Sequence, residues 1–246
     1  MSRLSKDGMM EKWKLLSGSS LKVMAMTAMV MDHAAFIVLS DCDFAHVPYF
    51  TIGRHSITLM FLLRGVIGRL AFPLFAFLIV EGFIHTRNEK KYIRTMLIFA
   101  LLTVVPWYLV HGCKSLLIGH NVLFTFTLAL TSLYAITHLN RKWSTTIIIV
   151  SMLLAWLFHT DYGFIGVAYI ILLYMFKANH LGRNLTTVCV FGRSFFSMSS
   201  ILSIIPMEMY NGKRGFIQSP WAKYAFYAFY PLHLLVLYLI STIHIL

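Results

Sequence analysis

Apolar runs close to 20 residues long recur along this chain, and each is about the length a helix needs to cross a bilayer. Several such runs in one chain leave few architectures open. Composition narrows them further: 59% of residues are hydrophobic and only 12% are charged, whereas a soluble domain needs about a quarter of its residues charged. The mean hydropathy is +0.74. A water-soluble core, a disordered chain and a disulfide scaffold are excluded, and a membrane barrel would show short alternating segments instead of long continuous ones. The reading is an all-α, polytopic transmembrane helix bundle, a single integral membrane domain over residues 1–246 with a basic cytoplasmic segment at 1–20.

Hydropathy predicts about eight spans, at roughly 21–40, 66–84, 93–111, 121–138, 144–160, 162–177, 185–206 and 222–243. That number puts both termini on one side. With the N-terminus inside, thirteen Lys and Arg residues fall in inner segments and six in outer loops, the bias expected of a cytoplasmic N-terminus and C-terminus. The same bias accounts for the net charge of +12 without nucleic acid as a partner. One outer loop resists the scheme: Lys213, Arg214 and Lys223 fall within 207–223, so either that loop binds an anion or the span count is off. Segment 49–63 is apolar but interrupted by Arg54 and His55, which suits an interfacial or re-entrant piece. The first 20 residues lack the apolar region of a signal peptide, so span one is expected to be the targeting signal. Cys42, Cys113 and Cys189 show no paired spacing and read as reduced thiols.

An ionisable side chain inside a span costs several kcal/mol, about 2.5–3.5 by insertion scales, so each one needs a partner or a task. At about 1.5 Å per residue, His33 lies roughly 18 Å above the inner end of span one, Arg69 roughly 22 Å up span two and His233 roughly 15 Å up span eight. Asp32, His33, Arg69 and His233 can therefore line one polar layer. Glu81, about 5 Å from the inner end, and Arg193, about 12 Å up, define a second layer below it. A histidine beside a carboxylate in a dry cavity suits general base catalysis, the carboxylate fixing the tautomer. Adjacent helical residues point about 100° apart, so Asp32 can instead pair with Arg69 and glue two spans together. Both arrangements are open at this stage, as is a merely packed His233.

The inner loop at 85–94 carries Arg87, Lys90, Lys91 and Arg94, cations able to contact phosphates of a nucleotide-bearing donor; ordinary topogenic charge explains them equally well. Asp161-Tyr162-Gly163 and Tyr210-Asn211-Gly212-Lys213-Arg214-Gly215 are placed at outer span ends, as turns displaying charge or as plain turns. Zinc-type spacing, HExxH, GxSxG and GxxxxGK[ST] are missing, so no metal is expected.

In order along the chain, Asp32-His33, then Gly68-Arg69-Leu70-Ala71-Phe72-Pro73-Leu74-Phe75-Ala76-Phe77, then Tyr162-Gly163 with Gly166, then Phe229-Tyr230-Pro231-Leu232-His233-Leu234 resemble the TraX family of membrane proteins, named for pilin N-acetylation. Asn121-Val122-Leu123-Phe124-Thr125 and the 210–215 segment resemble its Gram-positive branch. The resemblance implies acetyl transfer from cytoplasmic acetyl-CoA to an amine or hydroxyl acceptor near the outer side of a bacterial plasma membrane. It is distantly similar to the wider transmembrane acyltransferases. On that reading His33 with Asp32 activates the acceptor, and Arg69 or His233 stabilises the oxyanion. Arg87, Lys90, Lys91, Arg94, Arg193 and Glu81 are expected on the donor side. Asp161, Tyr162, Tyr230, Asn211, Lys213 and Arg214 are expected on the acceptor side. The expected partners are membrane lipid, acetyl-CoA and a peptide, glycan or lipid acceptor. A proton-coupled transporter or lipid-handling protein, with Asp32, His33, Glu81 and Arg193 as a relay, is the alternative; a non-catalytic assembly partner is a third.

Overall fold

The structure is a computed structural model that describes residues 13–112, 120–217 and 219–244. Most of the basic N-terminal segment, and Cys113, lie outside those residues. Helix α1 runs Gly18–Ile37, and a short α2 spans Asp43–His46. A two-stranded antiparallel hairpin follows, β1 Phe50–Ile52 and β2 His55–Ile57. The next leg is helical throughout but irregular: a π-helix at Phe61–Ile67, a 3₁₀ turn at Gly68–Leu70, then α3 Ala71–His85. Then come α4 Glu89–Leu102, α5 Val104–His111, α6 Val122–His138, α7 Arg141–Leu157, α8 Gly163–Met175 and α9 His180–Phe191. A leg built of α10 Phe195–Met198, a 3₁₀ turn Ser199–Ser203 and α11 Ile204–Glu208 precedes the last helix, α12 Pro220–His244. Among the described residues, four stretches, Gly18–Ile37, Phe61–His85, Glu89–His111 and Tyr224–Ile243, are long and apolar enough to cross a membrane.

Side-chain caps start five of these helices. Ser17 caps α1, and an asparagine caps α4 (Asn88), α6 (Asn121), α7 (Asn140) and α9 (Asn179), each side-chain oxygen accepting a backbone N–H of the first turn. Asn121 also donates through Nδ2 to the Ala100 carbonyl at 3.0 Å, tying the head of α6 to α4. Pro106 sits in the first turn of α5, where a missing N–H costs least, so the leg Glu89–His111 bends at Thr103 without losing its course.

The core sits between α3, α6 and α8, where Phe72, Leu74, Phe126, Leu130, Leu133, Val167 and Ile170 are buried. Large apolar side chains elsewhere point outward, among them Leu101, Leu102 and Val105 on α4–α5 and Ile149, Leu153 and Trp156 on α7. A soluble protein would carry charge at such positions; a bilayer accepts them.

Two sequence expectations change here. The single span at 185–206 is in fact a helix pair that goes out and back. α9 starts at His180, reaches Phe191 beside Phe72 and Tyr169, and turns at Gly192–Ser194; the chain then returns past Ser199 and Ser200, which bond the Gly65 and Arg69 carbonyls, to Glu208, which pairs with His180 and Arg183. The loop at 207–223 therefore lies at the N-terminal end of α1. Gly18 N–H donates to the Lys213 carbonyl at 2.8 Å and Ser19 N–H to the Arg214 carbonyl at 2.9 Å. α12 then leaves from that end, so the chain finishes at the end opposite the head of α1, not beside it. The cause is the turn around Arg193, hidden within a continuous run of moderate hydropathy. With the end at which α1 begins taken as the inner one on its excess of Lys and Arg, Lys213, Arg214 and Lys223 join it and Arg193 moves to the other end, so the sequence carries sixteen inner cations against four outer ones and the misfit in the charge pattern is gone. Segment 49–63 is the β-hairpin and the start of the irregular leg, at the outer end.

Alkaline phosphatase inserted after Ile217 is expected to be inactive, and fused after His244 to be active. Activity at the first position would restore the eight-span arrangement.

Candidate functional site

The irregular leg positions the site. In an ideal α-helix Arg64 and Arg69, five residues apart, would point about 140° from one another. The π-helix and 3₁₀ turn re-aim both toward α1. The carbonyls such a break leaves short of partners are met by the returning leg: Ser199 Oγ donates to the Gly65 carbonyl, and Ser200 Oγ donates to the Arg69 carbonyl at 2.9 Å. Close approach is allowed by Gly68, where an added Cβ would fall 2.6 Å from Asp32 Cβ.

Asp32 pairs with Arg64 at 3.5 Å, neither of the two partners, His33 and Arg69, that the sequence left open. Arg64 also lies over the Phe36 ring, 4.6 Å from its centroid. Arg69 stays within electrostatic reach of Asp32 and Asp161, and hydrogen-bonds the Tyr162 side chain. Tyr162 holds a left-handed backbone, φ 63°, uncommon outside glycine. Its ring stacks on Phe72 at 3.6 Å, and the Asp161 carbonyl beside it accepts from Thr125 Oγ1.

His33 and His233 meet directly, Nδ1 to Nε2 at 2.7 Å. Their roles follow from a third group. His233 Nδ1 lies 2.9 Å from the Phe229 carbonyl, so it carries the hydrogen and donates. In a neutral ring Nε2 is then the acceptor, His33 Nδ1 must be the donor, and His33 Nε2 is left with its lone pair. The tautomer of His33 is thus set by His233 and a backbone carbonyl, not by Asp32. Tyr230 stands edge-on to both rings, at 6.1 Å from His33 and 5.4 Å from His233, and its hydroxyl hydrogen-bonds the Val122 backbone.

Below this pair lies a cavity of about 640 Å³, within the size range of small-molecule sites, about 300–1,000 Å³. Lys22, Glu81, His85 and Arg214 line its inner mouth. Met26, Met29, Phe75, Met96 and Phe126 line the apolar throat, where Tyr92 donates a hydrogen bond to Tyr227. Phe229 and Tyr230 close the deep end. His33 is four residues past Met29 on α1 and His233 is three past Tyr230 on α12, so along the helix axes the histidines stand about 4.5–6 Å beyond the last lining residues of those helices.

Asp32, His33, Arg69, His233, Asp161, Tyr162 and Tyr230 therefore share one region. Other expected positions do not join a site as predicted. Arg87, Lys90, Lys91 and Arg94 are exposed at the inner end and none lines the cavity; Lys90 lies over Tyr134. Arg193 is exposed in the outer turn, far from the inner layer it was placed in, because α9 ends before it. Asn211 builds the 210–215 turn, accepting from the Lys213 N–H and donating its own N–H to the Leu16 carbonyl. Lys213 is exposed beside it, and Arg214 faces the inner mouth, not an outer acceptor. Sequence reasoning missed Arg64, His111 and Lys22. Arg64 lay just outside the drawn span, though Gly65 and Gly68 flanking it hint at close packing. Lys22 looked topogenic. His111, stacked on Trp107 at 3.8 Å and on Phe36 at 5.1 Å, carried no signal beyond its place at a span end.

A bundle of lipid-facing helices around a part-buried histidine pair, two arginines and an inward-opening cavity defines a polytopic helical membrane protein with an internal polar site. The chain belongs to the TraX family, whose TraX protein pattern it matches over residues 17–241. It is 29% identical, over 90% of its own length and 94% of the relative's, to the probable fimbrial assembly protein FimC, serogroup H1, of Dichelobacter nodosus. No solved structure matches it. The protein is a bacterial membrane protein.

Gly68→Ala is expected to force Asp32 aside and to cost about 1–3 kcal/mol, read as a lower thermal midpoint of the detergent-purified protein. An unchanged midpoint would mean that the α1 contact is loose.

Proposed function

We propose that the protein is a membrane-embedded acyltransferase that moves an acetyl group from cytoplasmic acetyl-CoA to an amine acceptor reached from the outer side. The acceptor class follows the family and its fimbrial relative: the N-terminal amine of a pilin or another envelope peptide. The observation that carries the reading is the cavity whose cationic mouth lies at the inner end and whose deep wall touches the His33–His233 pair.

Lys22 and Arg214 supply positive charge at the mouth, where a donor's phosphates would stay in contact with water. The apolar throat takes the pantetheine arm, and the thioester comes to rest against Tyr230. The acceptor's neutral amine nitrogen attacks the thioester carbonyl carbon, forming the C–N bond, while His33 Nε2 takes the proton the nitrogen loses. Charge develops on the carbonyl oxygen and is met by a guanidinium; the buried Nε of Arg69 has no hydrogen-bond partner among the described residues. Collapse breaks the C–S bond, and the departing sulfur takes the proton back from His33. The products are an amide and the free thiol of coenzyme A.

His33→Ala is expected to lower thiol release from acetyl-CoA with a free-amine peptide by about 10²–10⁴-fold, with the solubilised protein still monodisperse. Full turnover in that variant would remove His33 from the chemistry. Lys22→Ala with Arg214→Ala is expected to raise the acetyl-CoA KM by roughly tenfold or more with little change in kcat, as for lost ground-state contacts. The Arg87, Lys90 and Arg94 triple neutralisation is expected to leave KM within about twofold, since exposed charges contribute little. The reverse pattern would place the donor on the exposed loop.

A further inference from the structure

The partition between the donor cavity and the histidine pair is one residue thick. Tyr230 lines the deep end of the cavity on one side and meets His33 and His233 edge-on on the other. It is buried, with 5% of its surface exposed. Its position is fixed from two directions: the hydroxyl hydrogen-bonds the Val122 backbone at the head of α6, and the backbone belongs to the turn of α12 that presents Phe229 to the same wall. Phe229 is stacked on His233 at 5.2 Å, with the two planes 11° apart, so it braces the pair and leaves Tyr230 as the ring facing His33.

This placement limits what can be transferred. A thioester carbonyl must come within reach of an amine that His33 serves, and the histidines stand only about 4.5–6 Å past the last lining residues on their own helices. The aromatic ring already occupies part of that gap. With the ring in that gap, each methylene beyond a two-carbon acyl group would have to displace it. The same ring keeps water in the outer-facing region from the thioester while no acceptor is present.

Resting on the acyltransferase reading above, we infer that Tyr230 is the specificity-determining residue for the acyl group, restricting transfer to short acyl chains and sealing the donor from water. The ring does this, not the hydroxyl; the hydroxyl only holds the ring in register with α6.

The test uses the full-length protein in detergent with acetyl-, butanoyl- and hexanoyl-CoA and a free-amine peptide. Thiol release is followed with the peptide present and absent. For Tyr230→Ala, the ratio of kcat/KM for butanoyl to acetyl donor is expected to rise about tenfold or more, the scale of one or two methylenes in an apolar site. Acceptor-independent thioester hydrolysis is expected to rise with it. Tyr230→Phe, which keeps the ring and loses the Val122 bond, is expected to keep the wild-type ratio. Tyr230→Leu serves where the alanine variant does not purify, with a smaller shift in the same direction. A uniform loss across the three donors, or an unchanged ratio in both truncated variants, would overturn the inference. Wild-type protein inert toward every thioester would instead defeat the acyltransferase reading, so the two failures are told apart.

Discussion

A carboxylate or guanidinium held halfway across a bilayer has no water to fall back on, so each must be matched from within the bundle. In this protein that demand is met by the broken leg Phe61–His85. A regular helix would carry Arg64 and Arg69 to different faces; the π and 3₁₀ turns bring both against Asp32 on α1 and the Asp161–Tyr162 turn. Breaking the helix leaves carbonyls to be satisfied, and Ser199 and Ser200 satisfy them from the returning leg Phe195–Glu208. The out-and-back helix pair is thus part of the site's support. Its own foot is pinned at the inner end by the Arg183–Glu208 pair at 2.6 Å and His180 at 2.8 Å. Removing Glu208 would leave the buried Arg183 guanidinium without its carboxylate, which costs more than the pair contributes.

The polar groups are not spread evenly in depth. At about the level of the histidine pair, two acidic and two basic side chains balance one another: Asp32 and Asp161 against Arg64 and Arg69. Inward of it the throat is apolar, with a single hydrogen-bonded tyrosine pair, Tyr92 and Tyr227, until Lys22, Glu81 and Arg214 appear at the mouth. A neutral histidine pair is the fitting element at the boundary. It can move a proton without leaving a permanent charge in the uncharged section, and its hydrogen bonds run from His33 to His233 to the Phe229 carbonyl.

The bundle itself was legible in the sequence because hydropathy reports on lipid directly. The mid-depth cluster was legible for a different reason: a residue near the middle of a span stays in the middle whichever way the span runs. His233 was counted from the wrong end of α12 and still met His33. Residues near span ends had no such protection. Arg193 and Arg214 both changed sides when 185–206 resolved into two helices, although the surplus of cations at 207–223 had marked the error. The pairing of Asp32 could not be read, because an angle of about 100° per residue assumes an α-helix and the decisive leg is not one. Lys22 was hidden by its ordinary place in a first turn, where a long side chain ordinarily reaches for the interface.

A carboxylate against His33 would have made a different machine. The charge of Asp32 is directed at Arg64 instead, and the orienting partner of His33 is another imidazole. A buried carboxylate stabilises the imidazolium and makes the histidine a stronger base, as in hydrolases whose nucleophile is a poorly acidic hydroxyl. An amine attacking a thioester asks for less. The nucleophile is intrinsically strong once neutral, the sulfur leaves readily, and the base must release its proton in the same turnover. A base whose protonated form is not held by a carboxylate gives the proton back more easily, which suits the proposed acyl transfer, in which the same group would take a proton from nitrogen and deliver it to sulfur. The Asp32–Arg64 pair then acts as scaffold, fixing the broken leg against α1 so that Arg69 and the histidines keep their common height.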